Sequence, residues 1–337
     1  MIKIKEIGSE FWTKYPNLNC DLPGNEKHLL SGRTALNYII EEIKKSKQIK
    51  KAMLPAYCCN SMIMPFLEQG IEVQFYSVEI GSVDYCYSND VDVVLLVDFF
   101  GYVNFQNIEI AKTERLKGKT IIYDFTHKID RNIALEEFVD YSFCSYRKWL
   151  YCNDAVAIKH SGNFVNNSKL LFNERYVEIR EDACNLKNEY MNGLSENKAD
   201  FLKKYNLAET ILENDYKNYV GIPCKIDVLD IVSKRRENAK FIIDKLKNCK
   251  NISLWKSDID DCDCPMFVPI FLEKHLRDRL RLVLIKNDIY CPIHWAKPEC
   301  VVNNGWIYDK ELSLICDQRY SINDLDRMLN LVVDTIN

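Results

Sequence analysis

Apolar residues recur along this chain with two periods, and the alternation between the periods is the first structural signal. Leu36, Ile39, Ile40 and Ile43 fall at i, i+3, i+4 and i+7, so a helix opens after Ser31-Gly32. Ala52–Leu54, Glu72–Val78, Thr120–Tyr123, Tyr141–Ser145 and Ala155–Ile158 are short runs with strand character. Asn60–Gln69 reads as a helix closed by Gly70. Val91–Phe99 is almost uninterrupted apolar sequence, which suits a strand buried on both faces. Strands alternating with helices predict an α/β fold: a mostly parallel sheet with helices on both faces.

The pattern changes beyond about residue 165. Lys169–Tyr219 is polar and helix-prone, yet it carries Phe172, Tyr176, Tyr190, Phe201, Tyr205, Tyr216 and Tyr219. A helix follows at Ser233–Leu246, then a strand at Met266–Phe271 and a helix at Lys274–Ile285. Strand-like Ile289–His294, a strand at Leu312–Ile315 and a closing helix at Ile322–Ile336 complete the chain. This predicts a large domain over 1–225 and a smaller C-terminal α+β domain over 226–337.

Composition narrows the function classes. The 337 residues are 47% hydrophobic and 28% charged, with 45 basic against 49 acidic side chains, so nothing electrostatic points to nucleic acid. The longest apolar runs have seven residues, far short of the roughly 20 a membrane span needs, and the start at Met1–Glu6 lacks an apolar leader core. The expectation is a cytoplasmic protein with neither a nucleic-acid nor a membrane partner. Fourteen cysteines are too few for a disulfide scaffold and are expected to be reduced and mostly buried. Five histidines and no zinc-ribbon spacing predict no metal site.

The common nucleotide, protease and hydrolase motifs are absent; Gly118-Lys119-Thr120 precedes a strand where a phosphate loop would follow one. Four fragments remain. Ser31-Gly32-Arg33-Thr34 opens a helix, and backbone N–H groups there suit a phosphate as well as an ordinary cap. Asp124 ends a buried strand with His127 three residues on, where α/β sheets bind ligands and where a capping Asp would also sit. Ser142-Phe-Cys-Ser145-Tyr-Arg-Lys148-Trp149 places Lys148 at another strand end beside apolar residues, a setting that lowers an amine's pKa and favours imine chemistry. Polar and aromatic residues cluster late, in Tyr290-Cys-Pro-Ile-His294-Trp295 and Asp317-Gln-Arg319-Tyr320.

In this order the fragments make a phosphate cup, a strand-end Asp with His, and Ser-x-x-Lys, which together suit pyridoxal 5′-phosphate. The sequence resembles the DegT/DnrJ/EryC1/StrS family of fold-type-I sugar aminotransferases over nearly its whole length. Leu54-Pro-Ala-Tyr57, Phe100-Gly101, Ser233–Ala239 and Leu312–Tyr320 belong to the same likeness. The resemblance implies Lys148 as the Schiff-base lysine and Asp124 as partner of the pyridine nitrogen, with His127 beside the ring. It implies Ser145 with Gly32, Arg33 and Thr34 at the phosphate, Tyr57 packed on the ring, and His294 and Arg319 toward substrate. Two departures stand out. Asn153-Asp-Ala-Val156 replaces a Gly-rich segment after the lysine. The segment reaching a neighbouring subunit has only Lys204-Tyr-Asn-Leu207 as a counterpart.

The function so implied is transfer of an amino group from an amino-acid donor to a keto acceptor, with amino-sugar biosynthesis as the setting and a homodimer as the working form. Other pyridoxal-phosphate chemistry (decarboxylation, racemisation or elimination) and a catalytically silent binding relative stay open at this level.

Overall fold

The computed structural model describes residues 6–17, 23–131, 133–302 and 304–336. Met1–Lys5, the start of the segment used to argue against a leader, lie outside the described residues. The chain forms two compact units. The first holds Glu10–Gln48 and Asp140–Ile226; the second holds Ile49–Val139 and Asp227–Asn337 with the short segment ending at Ser9.

In the second unit five strands run in the order Thr120–Asp124, Val93–Val97, Lys51–Pro55, Glu72–Glu79 and Ser82–Asp84. The first four pair in parallel, and only the last, short strand runs antiparallel. Val93–Val97 and Thr120–Asp124 are buried at every position, as apolar central strands require. Helices Asn60–Leu67 and Gln106–Leu116 supply the crossovers between parallel neighbours. Past the Val93–Val97 strand, buried Asp98 accepts from the Tyr123 hydroxyl at 2.9 Å, the Asn107 amide at 3.0 Å and the Asn104 N–H at 3.2 Å. A buried carboxylate met by such donors fixes the ends of both central strands.

The same unit carries a three-stranded antiparallel sheet, Ser253–Leu254, Phe267–Phe271 and Glu311–Ile315. Helices Val228–Leu246, Lys274–Lys286 and Ile322–Ile336 accompany it, which is the α+β arrangement expected of the C-terminal part. Of the strand-like Ile289–His294, only Ile289–Tyr290 pairs, in parallel with Ile7–Gly8. Pro292 has no N–H to continue the ladder; its carbonyl accepts the Ser313 N–H instead.

In the first unit Ala155–Lys159 lies between Tyr141–Ser145 and Glu26–Leu29 and pairs antiparallel with both. Helices Glu174–Met191 and Lys198–Asn214 form a hairpin, and Lys204–Leu207 lies within the second of them. The hairpin explains the aromatics in that polar stretch. Tyr176 and Tyr216 pack with Leu30, Ala208 and Leu212, and Phe201 and Tyr205 pack with Ala183, whereas Phe172 is exposed. Thirteen cysteines lie in the described residues; all are free thiols and eight are buried. No helix among the described residues is long and apolar enough to cross a membrane.

One backbone approach in the second unit has no slack. Gly101 has φ +88°, and a Cβ there would lie 1.8 Å from the Cys264 carbonyl oxygen and 2.6 Å from that of His127. Gly101→Ala therefore meets both left-handed strain and a main-chain overlap. It should lower unfolding stability by about 3 kcal/mol or more, read as a drop in urea midpoint. Near wild-type stability would mean that these segments separate freely.

Candidate functional site

Each unit carries part of the candidate constellation. In the second unit, Asp124 closes its strand and is buried, and its Oδ1 accepts the Thr126 N–H at 2.8 Å. That bond makes the local turn a capping Asp would make, and it also fixes the carboxylate's orientation. His127 Nδ1 accepts the Phe100 N–H at 3.1 Å, so the neutral ring carries its proton on Nε2. Its ring stacks on Trp295, with centroids 5.6 Å apart and planes at 27°.

Tyr57 joins this aromatic cluster. Its ring lies 5.1 Å from Trp295 and 5.0 Å from Tyr308. The Tyr308 hydroxyl sits 2.9 Å from both the Ala56 and Cys58 carbonyls and accepts the Cys58 N–H, clamping the chain on either side of Tyr57. Tyr57's own hydroxyl is buried with no hydrogen-bond partner, and burial pushes its pKa well up. An orphaned buried donor of this kind is costly, at about 1–3 kcal/mol, and marks a place where another polar group fits.

His294 is buried within the same cluster, its ring centroid 5.8 Å from that of His127 and 5.6 Å from that of Phe100. Behind it stand Ser313 and Glu311, which the sequence analysis did not single out. Arg319 does not join the rings. Its Nε and Nη2 grip the two oxygens of Asp317 at 2.9 and 2.7 Å, and its guanidinium lies over Tyr320. Full burial pushes Asp317 upward, but the Arg319 and Arg235 guanidinium groups hold its carboxyl below the usual range.

In the first unit Ser31 caps helix Gly32–Ser46 by accepting the Thr34 N–H at 3.2 Å. The Thr34 hydroxyl donates to the Tyr216 carbonyl at 2.6 Å, and Arg33 lies over the Tyr216 ring. Gly32 faces Ser145 so closely that a Cβ would lie 3.1 Å from the Ser145 Cβ. The helix N-terminus, Gly32 and Ser145 thus come together, and Arg33 Nε is buried without a hydrogen-bond partner.

Lys148 ends the 3₁₀ turn Tyr146–Lys148 that follows strand Tyr141–Ser145. Trp149 and Leu150 are fully buried as expected beside it, but Lys148 itself is exposed. Its neighbour Arg147 makes a two-pronged pair with Glu209 on the second hairpin helix, at 2.5 and 3.1 Å. Arg180 stands 3.7 Å from the same carboxylate, and the Lys148 charge also acts on it. Burial pushes Glu209 up, yet these cations, Arg147 foremost, hold its pKa at about 2. The segment replacing the Gly-rich stretch is filled rather than open. Asp154 is completely buried, pairs with His28 Nδ1 at 2.8 Å, and gives its carbonyl to the Tyr146 N–H.

Elsewhere in the second unit, Asp260, Cys262 and Asp263 gather their ligand atoms, but Lys256 Nζ lies 2.6 Å from each carboxylate and supplies the positive charge there.

No family model and no curated protein matches this sequence. Solved structures do match its fold. Helicobacter pylori PseC, an aminotransferase involved in pseudoaminic acid biosynthesis, superposes with a TM-score of 0.65 at 11% identity, covering 99% of this chain and 98% of that one. NtdA from Bacillus subtilis, solved with bound cofactor PMP, gives 0.61 at 13% identity, covering 92% and 73%. A DegT DnrJ EryC1 StrS aminotransferase from Brucella abortus gives 0.59 at 14% identity, covering 93% and 86%. The expected fold is therefore present: this chain folds as these aminotransferases do.

The Glu209 pairing has a pH signature with a definite sign. A carboxylate held near 2 against an ordinary value of 4.5 stabilises the fold fully above the ordinary value, and that contribution is lost as pH falls toward 2. Because the Glu209 side chain is 41% exposed, water screens part of the effect. Glu209→Gln should unfold at lower urea than wild type at pH 7, and the two midpoints should converge near pH 2. Equal midpoints at pH 7 would show that Arg147 needs no partner.

Proposed function

We propose that this protein is a pyridoxal-phosphate-dependent aminotransferase that moves an amino group from an amino-acid donor to a keto acceptor, with keto-sugars as the acceptor class. The observation that carries the proposal is the full-length likeness of fold to aminotransferases; Asp124 at the end of a strand and Lys148 at the close of the turn after another support it.

The residues fit the cofactor. Gly32, Arg33, Thr34 and Ser145 would hold the phosphate, because a side chain at Gly32 would crowd Ser145 and Arg33 Nε lacks a partner. Tyr57 and His127 would flank the ring, and Asp124 would keep a proton on its nitrogen. When bound, pyridoxal phosphate supplies an electron sink for the donor's Cα–H electrons. Lys148 would carry the cofactor and then, as a general base and acid, take the proton from the donor's Cα and return it on the far side of the transfer. His294 and Arg319 would meet substrate; the Asp317 clamp presents Arg319 as a fixed fork suited to a carboxylate.

The division into a large pyridoxal-phosphate-binding domain over 1–225 and a small C-terminal domain over 226–337 belongs to the same proposal. So do a cytoplasmic setting, supported by the buried free thiols, and a homodimer. Exposed apolar residues on the hairpin and just ahead of it, Leu171, Phe172, Leu194, Leu202 and Leu207, support association.

Two measurements test this reading. Purified protein incubated with pyridoxal phosphate and reduced with borohydride should carry the label on Lys148 by peptide mapping; label elsewhere, or none, would overturn the assignment. Light scattering at micromolar protein should give twice the 39.6 kDa chain mass, and a monomer that binds the cofactor tightly would remove the homodimer.

A further inference from the structure

Behind His294 lies a hydrogen-bonded chain with no role in the reading so far. Glu311 is fully buried at the start of its strand, and its two oxygens face two donors. Oε2 accepts the backbone N–H of His294 at 2.6 Å, and Oε1 lies 2.5 Å from the Ser313 hydroxyl. The same hydroxyl lies 2.9 Å from His294 Nδ1. Carboxyl, hydroxyl and imidazole therefore stand in series, and the hydroxyl has a single proton to give.

That shortage couples the three groups. When Glu311 is ionised, Ser313 gives its proton to Oε1 and must accept from His294, so Nδ1 carries the ring proton. When Glu311 is protonated, it donates to Ser313, Ser313 donates to Nδ1, and the ring proton stands on Nε2. We propose that Glu311, acting through Ser313, is a positioning residue that sets which nitrogen of His294 carries the proton, and so whether His294 offers substrate a donor or an acceptor. This goes deeper into the aminotransferase reading and rests on it for the substrate's part; the coupling itself does not. No heavy-atom bond changes. As pH rises the Nε2 proton of His294 leaves to solvent, the Ser313 proton passes to Nδ1 and the Glu311 proton passes to Ser313, so one proton is lost in all.

The surroundings suit a switch near neutral pH. Burial pushes the Glu311 carboxyl up to about 8, against the pull of the Ser313 and His294 hydrogen bonds. Arg277 on helix Lys274–Lys286 is the charged group nearest in effect, but it spends its donors on the Glu311 and Tyr308 carbonyls and on Asp278. Tyr57 and Cys291 are the titratable groups in Glu311's field, and His127 is the titratable ring facing His294.

The test is nitrogen NMR of the full-length protein labelled with ¹⁵N-histidine, recorded without cofactor from pH 6.5 to 9.5, with His294 assigned by the signals missing in His294→Gln. In wild type the protonated-type and bare-type nitrogen shifts of His294 should exchange places as pH rises through about 8. Glu311→Gln cannot ionise and should hold one arrangement throughout. Ser313→Ala keeps the acid but cuts the chain, and should also abolish the exchange. Wild-type shifts that never exchange, or an exchange that survives either substitution, would overturn the proposal; if Glu311→Gln fails to fold, Ser313→Ala decides it alone. Because no cofactor is present, failure here leaves the borohydride result untouched, and failure of borohydride labelling leaves this coupling standing.

Discussion

The turn at Phe100-Gly101 is the constraint on which the second unit's chemistry depends. Two successive residues take positive φ, +56° and +88°, and the first of them is a phenylalanine. A non-glycine residue there costs about 1 kcal/mol or more, so neighbouring contacts must hold it. They do so from three sides. The Phe100 N–H goes to His127, its carbonyl accepts from Met266, and the Gly101 carbonyl accepts from Cys264. The end of a central strand, the loop after Asp124 and the entry to the smaller sheet are thereby tied to one another. Phe100's ring then lies among His127, His294 and Trp255, at 5.7, 5.6 and 5.1 Å. One strained turn orients both imidazoles.

The first unit solves a different problem, which is to hold a lysine-bearing turn without the glycine-rich segment that resemblance leads one to expect. Asp154 fills that place and closes onto His28 of the neighbouring strand, while its carbonyl pins the start of the turn at Tyr146. In the middle of the turn Arg147 is gripped by Glu209. A guanidinium fork matched to a carboxylate restrains orientation as well as distance. The turn is restrained here by a backbone hydrogen bond at its first residue and by an ion pair at its middle one. Lys148, at its tip, remains exposed.

Most of the fold was legible because its central strands are apolar and its helices keep a clear period. The elements that escaped were those whose burial is not written in apolar residues. Strand Glu26–Leu29 reads as polar, and only pairing with Ala155–Lys159 makes it a strand. Helix Gln106–Leu116 buries Asn107 and Glu114 along with Ile110 and Ala111, so polar residues interrupt its inner face. The site divides the same way. Asp124, His127, Ser145 and Lys148 announce themselves by standing at strand ends. Glu311, Ser313, Glu209 and the Trp295 stack do not: Glu311 and Ser313 meet His294 across 17 and 19 residues, Glu209 meets Arg147 across 62, and Trp295 meets His127 across 168. Such pairs belong to the tertiary structure and have no local signature.

Two buried carboxylates near the end of the chain show how little sequence distance is needed to separate their chemistry. Glu311 and Asp317 are six residues apart, the first opening the strand Glu311–Ile315 and the second just past its end. Both are removed from water, and burial pushes both upward. Asp317 meets a bidentate guanidinium, which more than offsets that push and leaves a permanent anion presenting Arg319. Glu311 accepts from a hydroxyl and a backbone N–H and feels Arg277 without a side-chain bond to it, and together these do not offset the push. An environment that pushes two acids apart in this way assigns them different work. A fixed anion can hold a cation in place but cannot exchange a proton near neutrality. A carboxyl pushed up to about 8 can, and it stands behind the His294 imidazole. A well-packed apolar residue at 311 would cost the fold less than a buried acid. What the acid adds, in the coupling proposed above, is a choice between two proton arrangements that Ser313 passes to His294.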